Sequence, residues 1–357
     1  MIKRSIGNPI ILILFFALFG CAKKNGNPIP VQKTPVTPVD SVIDVGADVY
    51  LVGTTIGQFP NNTPRATYWK NGVSTILPDN LSQAANQADA IAVNGSDVYI
   101  VGSTDSGTYA VATAWKNGLA SQLPGSYGFS QGNAIALSGS DEFIAGLVTA
   151  SDGNQVACYW KNGVVNLMPN DGISASSANA IVINGSDVYL AGYVYNTAKD
   201  YYQAIFWKNG VPTILSTNVN GSIVYGAVMS GSDLYLVGFV GNVATVWKNG
   251  VASGLTDGSE VSFAYAIAIN GNDVYVSGAI NSTATAVCWK NGVATVLSSN
   301  NLTPVDDLAN SLILNGSNVF VAGGTDPSGY LEYWWNGKPI KLGKINGFIK
   351  GIAIIPH

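Results

Sequence analysis

The segment AVCWKNGVATVL, residues 286–297, contains the tetrapeptide that decides the fold, because WKNG recurs along the chain. It occurs six times, and a seventh copy at residues 334–337 reads WWNG. Residues that favour β-strands flank each copy, and Asn-Gly between two such runs is a strong signal for a tight hairpin turn. Each copy therefore predicts two antiparallel strands, joined here at Asn291 and Gly292.

A second motif, of the form AxAIxxNGSDVYxVG, precedes each copy of WKNG, and the two together recur about every 45 residues. Each period reads as four short strands. Asn94 and Gly95, like their equivalents, predict a type I′ turn between the first strand and the second. Four strands in each repeat of this length are typical of a β-propeller blade.

The predicted fold is therefore all-β, a seven-bladed β-propeller of four-stranded antiparallel blades over residues 41–357. The repeat region begins near the second strand of a blade, and the end of the chain, GFIKGIAIIPH, matches a first strand. We expect this C-terminal strand to pair with the N-terminal blade and close the ring. Eight blades are the alternative, if SVIDV at residues 41–45 forms a first strand of its own.

The order of Trp, Gly and Leu, followed by AxAI and GxxVxxxG, resembles the HAF-type extracellular repeats of bacteria, a WD40- and kelch-like pattern. The tryptophan that closes the third strand is similar to that of WD40 blades. Lysine stands here where WD40 repeats have aspartate, and their Gly-His pair is missing. The resemblance implies a shared architecture rather than a WD40 hydrogen-bond network or one particular function.

The first residues predict export. Lys3 and Arg4 precede an apolar run at residues 9–19 that is too short to span a bilayer, so residues 1–20 are predicted to be a signal peptide. Leu18, Gly20 and Cys21 resemble the lipobox of bacterial lipoproteins, which implies lipidation of Cys21. An ordinary signal peptide with a chance cysteine is the alternative.

Residues 21–40 contain four prolines and predict an extended tether between the lipid and the repeats. Ala22 resembles the residue found in lipoproteins that reach an outer membrane. The protein is thus expected in a bacterial envelope, on the periplasmic or the surface side, with the membrane as a partner through the lipid.

One tryptophan recurs at the same position of every repeat, and we expect these side chains to pack between blades. They are Trp69, Trp115, Trp160, Trp207, Trp247, Trp289 and Trp334.

Six repeats place an aspartate at the start of the second strand and a lysine at the end of the third. A two-residue turn at Val240 and Gly241 would set Asp233 opposite Lys248. The seventh repeat loses both charges, because Asn318 and Trp335 take their places. We therefore predict cross-strand pairs on one rim: Asp48 with Lys70, Asp97 with Lys116, Asp141 with Lys161, Asp187 with Lys208, Asp233 with Lys248, and Asp273 with Lys290. A ring of lysines facing anionic lipid is the alternative, although the aspartates would largely cancel its field.

The opposite rim collects the variable loops, and binding residues are concentrated on such loops. Predicted loop aromatics are Phe59, Tyr109, Tyr127, Phe129, Tyr195, Tyr201, Tyr202, Tyr225, Phe263 and Tyr330. A variable residue also enters each first strand: Asp89, Asn133, Asn179, Gly226, Tyr265, Asn310 and Lys350. From these sets we predict that ligand is bound by Asp89, Asn133, Asn179, Tyr265, Asn310, Lys350, Tyr127 and Tyr225. Alternatively, these residues only hydrate a channel entrance or hold the loops.

Several chemistries are disfavoured. The single histidine is His357, which argues against imidazole catalysis and histidine metal sites. The net charge is −4 and no lysine or arginine run follows Lys24, so no nucleic-acid partner is expected. Asp-Gly fragments such as residues 151–154 lack calcium-loop spacing, so neither metal nor cofactor is expected. Cys158 and Cys288, in different blades, are expected to be buried free thiols.

The sequence thus predicts an envelope-anchored module, a monomeric domain that binds a glycan, a peptide or an envelope protein at its loop rim. A scaffold within an envelope complex is one alternative. A propeller-type glycoside hydrolase or lyase is another.

Overall fold

A computed structural model describes residues 45–57, 63–78, 85–169, 175–215, 221–280, 285–297, 308–325 and 330–357. In these ranges the regular structure consists of 28 β-strands in six sheets, five of four strands and one of eight. The all-β class is therefore confirmed, and the sheets are consistent with a β-propeller. The predicted signal peptide, Cys21, the tether, Phe59 and residues 41–44 of the SVIDV segment lie outside the described residues.

The strands form seven consecutive sets of four, and we number the strands of each set in spatial order from first to fourth. Set 1 contains β28 (Gly347–Pro356), β1 (Ala47–Ile56), β2 (Pro64–Lys70) and β3 (Val73–Ile76). Set 2 contains β4 (Asn86–Asn94), β5 (Asp97–Asp105), β6 (Ala110–Lys116) and β7 (Leu119–Gln122). Set 3 contains β8 (Ser130–Ser138), β9 (Asp141–Thr149), β10 (Gln155–Lys161) and β11 (Val164–Leu167).

The remaining sets follow the chain in the same way. Set 4 contains β12 (Ala175–Asn184), β13 (Asp187–Asn196), β14 (Tyr201–Lys208) and β15 (Val211–Ile214). Set 5 contains β16 (Ser222–Ser230), β17 (Asp233–Val240), β18 (Val243–Lys248) and β19 (Val251–Gly254). Set 6 contains β20 (Ser262–Asn270), β21 (Asp273–Ile280), β22 (Thr285–Lys290) and β23 (Val293–Val296). Set 7 contains β24 (Ala309–Asn315), β25 (Asn318–Thr325), β26 (Tyr330–Trp335) and β27 (Lys338–Lys344).

Neighbouring strands within each set are antiparallel. A parallel bridge between Gln155 and Ala175 joins sets 3 and 4 into the eight-stranded sheet. The first strands of successive sets contact one another, from β28 through β4, β8, β12, β16, β20 and β24, and β24 contacts β28 again. The succession of contacts therefore begins and ends at the same strand.

The turns between third and fourth strands agree with the prediction. Asn71 has φ 49° and Gly72 has φ 80°, so both central residues adopt the positive φ that a type I′ turn requires. The equivalent Asn-Gly pairs of the other six sets do the same.

The turns between first and second strands differ from the prediction by one residue. Asn94 pairs with Asp97, so the two central residues are Gly95 and Ser96, and Gly95 has φ 58°. Glycine at the first central position is the arrangement of a type II′ turn. The type I′ turn predicted at Asn94 and Gly95 is therefore wrong, because the asparagine belongs to the strand. The turns between the first and second strands of sets 2 to 7 and the seven Asn-Gly turns lie at one end of the sets, which we call the tight-turn rim; the opposite end is the loop rim.

The core lies between neighbouring sets. The seven repeated tryptophans are at most 1% exposed. Trp160 of set 3 shares a hydrophobic cluster with Val101 and Leu123 of set 2, and its Nε1 donates to the carbonyl oxygen of Pro124 at 2.8 Å. Each tryptophan position thus serves the packing of one set against another.

Every first strand contains a β-bulge near the loop rim. Gly132 pairs with Gly146 and Ala134 pairs with Ala145, so Asn133 is the additional residue of β8. The equivalent bulge residues are Asp89, Asn179, Tyr225, Tyr265, Asn310 and Lys350. Six are the variable residues singled out from the sequence. In set 5 the choice of Gly226 was wrong, because Gly226 pairs with Val237 in the ladder and Tyr225 is the bulge residue.

The bulge explains the glycine of the DVYxVG motif. A Cβ atom on Gly146 would lie 1.9 Å from the carbonyl oxygen of Gln131, which precedes the bulge. In each of the other six sets, the equivalent carbonyl oxygen lies 1.7 to 2.1 Å from a Cβ built on the corresponding glycine: Gly53, Gly102, Gly192, Gly238, Gly278 and Gly323. The close approach of the backbones admits no side chain there.

Candidate functional site

The tight-turn rim carries the six predicted ion pairs. Lys Nζ lies 2.8 to 3.3 Å from Asp Oδ2 in Asp48–Lys70, Asp97–Lys116, Asp141–Lys161, Asp187–Lys208, Asp233–Lys248 and Asp273–Lys290. The predicted register is wrong by two residues, because Lys248 lies opposite Tyr235 and the turn is Gly241 and Asn242. Each lysine therefore reaches its aspartate diagonally.

An aromatic ring lies opposite each lysine and contacts the side chain that extends diagonally to the aspartate. Lys248 Nζ lies 5.2 Å from the ring centroid of Tyr235, and the distance is 4.8 to 5.2 Å in all six sets. This is a cation–π geometry, with Phe143 in place of tyrosine in set 3. In set 7, Trp335 replaces the lysine and packs against the hydrophobic cluster that contains Phe320.

The asparagine of WKNG has a role that the sequence reasoning missed. Asn249 Nδ2 donates to Asp233 Oδ1 at 2.8 Å, and Asn249 Oδ1 accepts from the backbone N–H of Leu234 at 2.9 Å. All seven sets repeat both bonds, and in set 7 Asn336 Nδ2 donates to Asn318 Oδ1 at 2.8 Å. The sequence does contain a signal for this role of asparagine, because the altered copy WWNG loses the lysine and keeps the asparagine.

These bonds occupy the charged groups of the tight-turn rim. Hydrogen bonds from Lys70 and Asn71 hold the pKa of Asp48 at about 2, and the same contact raises the pKa of Lys70. His357 Nε2 lies 3.4 Å from Asp48 Oδ1. The contacts of this rim therefore stabilise its turns, and the predicted ligand residues lie towards the other end of the sets.

Three asparagines among the bulge residues link neighbouring sets. Each Nδ2 donates to the carbonyl oxygen that precedes the next bulge residue: Asn133 to Ala178 at 3.0 Å, Asn179 to Val224 at 2.9 Å and Asn310 to Ile349 at 2.8 Å. Ser177 Oγ also contacts the amides of Asn133 and Asn179, at 3.1 and 3.0 Å. These three predicted ligand residues thus hold the first strands together.

Asp89 and Lys350 are bulge residues of neighbouring sets with opposite charge. Asp89 Oδ2 accepts from Gln131 Nε2 at 3.1 Å. Burial raises the pKa of Asp89, and the positive charge of Lys350 opposes this shift. Lys350 Nζ lies 5.6 Å from the ring centroid of Phe348. The structure thus brings these two predicted residues to adjacent positions.

The bulge residues Tyr225 and Tyr265 contact each other, with ring centroids 5.3 Å apart. Phe239 lies 6.0 Å from Tyr225, and Phe263 lies 5.1 Å from Phe239 and 6.0 Å from Tyr265. All four rings are half-buried. Tyr225 and Phe263, predicted in loops, lie within β16 and β20, because the first strands extend past their bulges.

Three more tyrosines continue this group into set 4. Tyr202 lies 4.9 Å from Tyr193 and 5.1 Å from Tyr195 between ring centroids. Tyr193 lies opposite Ser177 in the ladder of β12 and β13, and burial raises the pKa of Tyr193 to about 12. We call the seven rings the aromatic cluster: Tyr193, Tyr195, Tyr202, Tyr225, Phe239, Phe263 and Tyr265.

The sequence reasoning missed Tyr193 and Phe239 and placed Tyr195, Tyr201 and Tyr202 in loops. Tyr195 is the penultimate residue of β13, and Tyr201 and Tyr202 begin β14. The alternation of Tyr193 and Tyr195 was the available signal, since side chains two residues apart share one face of a strand.

Tyr127 lies apart from the bulge residues, in the loop before β8, and is 75% exposed. A cavity of about 490 Å³ lies at the loop rim between β19 and β21. Its lining includes Thr256, Asp257 and Glu260. Asp257 accepts from the backbone N–H and Oγ of Ser259 at 3.0 and 2.6 Å, a turn that lowers the pKa of Asp257.

Cys158 is buried and Cys288 half-buried, and both are free thiols. The expectation that both are buried is therefore wrong for Cys288, although burial still raises its pKa to about 11.

Across the described ranges, no three His, Cys, Asp or Glu side chains come together as metal ligands. No helix within those ranges has the length and apolar character of a membrane span.

No protein-family model and no curated protein matches this chain. Among solved structures, a puromycin-hydrolysing peptidase of Mycobacterium tuberculosis is similar to it, with a TM-score of 0.53 and 10% identity. The match covers 82% of this chain and 53% of the peptidase. An acylaminoacyl peptidase of Pyrococcus horikoshii gives a TM-score of 0.47 at 13% identity, with 87% and 52% covered.

A chain of a nidogen/laminin complex gives a TM-score of 0.43 at 13% identity, with 86% of this chain and 98% of that chain covered. This chain spans about half the length of the two peptidases. At 10% identity, the similarity to the first peptidase concerns the fold alone and agrees with a propeller-like arrangement of sheets.

Proposed function

We propose that this chain is an envelope-anchored binding protein, a seven-bladed β-propeller that holds its ligand at the loop rim. The observation that carries the proposal is the aromatic cluster. Its seven rings come from three consecutive sets and are half-buried, whereas the repeated tryptophans of the core are at most 1% exposed. Partly exposed aromatic side chains that retain hydroxyl groups are characteristic of binding surfaces.

The seven sets are, in this proposal, the seven blades of a closed ring. Two observations support it. The contacts between first strands return to β28, and β28 pairs with β1 from Ala47–Pro356 to Thr55–Gly347. Closing the ring in this way leaves short outer edges and protects the inner ones.

Binding rather than histidine catalysis is supported by the position of His357. It lies beside Asp48 on the tight-turn rim, whereas the aromatic cluster lies at the other end of the sets. In β13, for example, Asp187 and Tyr195 are eight residues apart, or about 26 Å at the rise of a strand. In this proposal, the bulge residues and the aromatic cluster therefore serve non-covalent binding rather than imidazole chemistry.

Anchoring through Cys21 rests on the resemblance of Leu18, Gly20 and Cys21 to a lipobox. Metabolic labelling with a radioactive fatty acid should mark the full-length protein and leave Cys21→Ser unlabelled. Equal labelling of both would refute the anchor. Digestion of intact cells with protease would then show on which side of the outer membrane the repeats lie.

The binding site is tested with the full-length protein in detergent, screened against envelope polysaccharides, peptides and envelope extracts. The double variant Tyr225→Leu, Tyr265→Leu should lose the ligand that the wild type retains. Tyr109→Ser is the matched control, because this exposed tyrosine lies on the same rim, in the loop between β5 and β6, outside the aromatic cluster. If the double variant and the control bind as well as the wild type, the ligand does not bind at the cluster.

A further inference from the structure

We infer that the ligand of the aromatic cluster is a neutral glycan, an uncharged chain of sugar units that packs along five tyrosines. This inference rests on the proposed function, which places the site at the loop rim, and adds the class of ligand. It is carried by the arrangement of the rings, by their hydroxyl groups and by the neutral side chains around them.

The tyrosines form a track of two ring groups, one on two inner strands and one on a hairpin. Tyr265 lies 5.3 Å from Tyr225. Asn179 joins the two groups. Its Nδ2 donates to the carbonyl oxygen of Val224, which precedes Tyr225. Its Oδ1 accepts from Ser177, which lies opposite Tyr193. Tyr193 lies 4.9 Å from Tyr202, and Tyr202 lies 5.1 Å from Tyr195. The track runs from the bulge residues of sets 5 and 6 to the end of β13. A track of this kind suits an extended ligand with repeated flat units rather than one compact molecule.

The polar groups along the track are uncharged. Burial raises the pKa of Tyr193 to about 12 and also raises that of Tyr225, so both phenols stay neutral. Asn196 Nδ2 donates to Gln203 Oε1 at 2.8 Å, next to Tyr195 and Tyr202. Phenol and amide groups both donate and accept hydrogen bonds, as sugar hydroxyls do.

No charged side chain belongs to the track itself. Asp257 and Glu260 line the cavity between β19 and β21, beside sets 5 and 6, and Asp257 accepts hydrogen bonds from Ser259. Asp89 and Lys350 belong to sets 2 and 1, whereas the track lies in sets 4 to 6. At the outer end of the track, Asp200 accepts a short hydrogen bond from the hydroxyl of Tyr195. Lys199 lies over the ring of Tyr201 at 5.8 Å. This distribution favours a neutral ligand over an acidic one.

A proline-rich peptide is the other extended ligand that packs on aromatic grooves. Its backbone offers carbonyl acceptors but few donors, because proline has no N–H. The track presents groups that both donate and accept. A glycan can satisfy both functions along its length, and for this reason we favour it.

The test uses the full-length protein and four immobilised probes: neutral oligosaccharides of glucose, of mannose and of N-acetylglucosamine, and an acidic oligosaccharide of galacturonic acid. A proline-rich peptide is the fifth. We expect at least one neutral oligosaccharide to retain the protein, and neither the acidic oligosaccharide nor the peptide to do so. Tyr202→Ala should weaken that binding about tenfold, because an aromatic contact and its packing are lost. Tyr109→Ala, in the loop between β5 and β6 of the same rim, should bind like the wild type.

Two further variants separate binding from folding. Tyr202→Phe keeps the ring and should bind more tightly than Tyr202→Ala, and Tyr195→Ala removes a ring at the outer end of the track. Each variant is compared with the wild type by circular dichroism and thermal unfolding. A variant that binds weakly but unfolds at the wild-type temperature supports the glycan track.

The inference is overturned if no neutral probe is retained, or if neutral binding survives in both Tyr202→Ala and Tyr195→Ala. The protein could instead retain the acidic probe or the peptide, and lose it in Lys350→Ala or in Tyr225→Leu. That result would support the proposed function and contradict the inference of a neutral glycan. Failure to retain any glycan, peptide or envelope component would reject both.

Discussion

The asparagine of WKNG performs three tasks at each of the seven turns. Asn249 adopts φ 51°, donates to Asp233 and accepts from the backbone of Leu234. Lys248 contributes one contact to an exposed carboxylate and one to a ring. Contacts between exposed charges are weak, because water screens them and long side chains lose freedom. We therefore expect the asparagine to contribute more stability than the lysine.

Replacing Asn249 and Lys248 in separate variants tests whether the asparagine stabilises the protein more than the lysine. Asn249→Ala should lower the free energy of unfolding by about 2 kcal/mol, because positive φ strains an alanine and two hydrogen bonds are lost. Asn249→Gly relieves the strain and should cost about 1 kcal/mol. Lys248→Met should cost less than either. Denaturant titration measures all three, and a larger loss for the lysine variant would reverse the assignment.

The pKa of Asp48 predicts a loss of stability in acid. Its ordinary value is 3.8 and its value in the folded protein is about 2, because Lys70 and Asn71 hydrogen-bond to the ionised form. The unfolded chain therefore takes up a proton first as the pH falls. The stabilisation is present above about pH 4 and is lost progressively as the pH falls towards 2.

Asp48→Asn is the matched control, since Asn318 occupies the same position naturally in set 7. Denaturant titrations between pH 2 and pH 6 should show a shallower acid decline for this variant than for the wild type. Identical pH profiles would show that this carboxylate is not the responsible group.

At the scale of the strand, the bulge and the glycine opposite it form one unit. The additional residue displaces a carbonyl towards the second strand, and Gly146 leaves the space that Gln131 O occupies. The bulge also brings Tyr225 and Tyr265 into contact and lets Asn133 reach the next set. One backbone irregularity thus positions both the aromatic residues and the links between sets.

Gly146→Ala should therefore destabilise the protein by about 3 kcal/mol, since Cβ would lie 1.9 Å from a backbone oxygen. Gly139→Ala is the control: Gly139 has φ 59° in a turn with open space around it, and we expect a loss of about 1 kcal/mol. Thermal and denaturant unfolding compare the two variants. Equal losses would mean that backbone conformation, rather than the close approach, makes the glycine necessary.

At the scale of turns and strands, some features could be predicted from the sequence and others could not. The Asn-Gly turns were predictable because few other residue pairs adopt positive φ twice. The turn at Gly95 was misplaced by one residue because asparagine fits a strand end as well as a turn. The diagonal reach of Lys248 was missed because a shift of two residues keeps every side chain on its face. Phe239 was missed because its partner Phe263 lies in the next set, whereas Tyr193 was missed although its alternation with Tyr195 could be read from the sequence.

At the scale of the molecule, set 1 joins the beginning and the end of the described chain. β28 supplies Ile349 and Ile352 to the cluster that contains Leu51 and Trp69. The backbone N–H of His357 donates to Gly46 O at 3.2 Å. The repeat period predicted this pairing, because residues 347–357 match a first strand for which no other partner is left.

Deleting residues 347–357 should abolish cooperative unfolding, because β1 loses its neighbour and the cluster around Trp69 opens. A synthetic peptide of residues 347–357 added in excess should restore protease resistance, and a scrambled peptide should not. Tryptic digestion over time measures both. A deletion variant that resists trypsin like the full chain would show that set 1 is stable without its C-terminal strand.

The position of β28, after all other described strands, links folding to the order of synthesis. A chain interrupted before residue 347 contains all seven tryptophans of the repeats, yet it lacks the strand that covers one side of β1. Such a chain stays open to proteases and chaperones. Only a chain that includes residues 347–356 can pair β1 on both sides, so we expect resistance to digestion to arise once β28 has been synthesised.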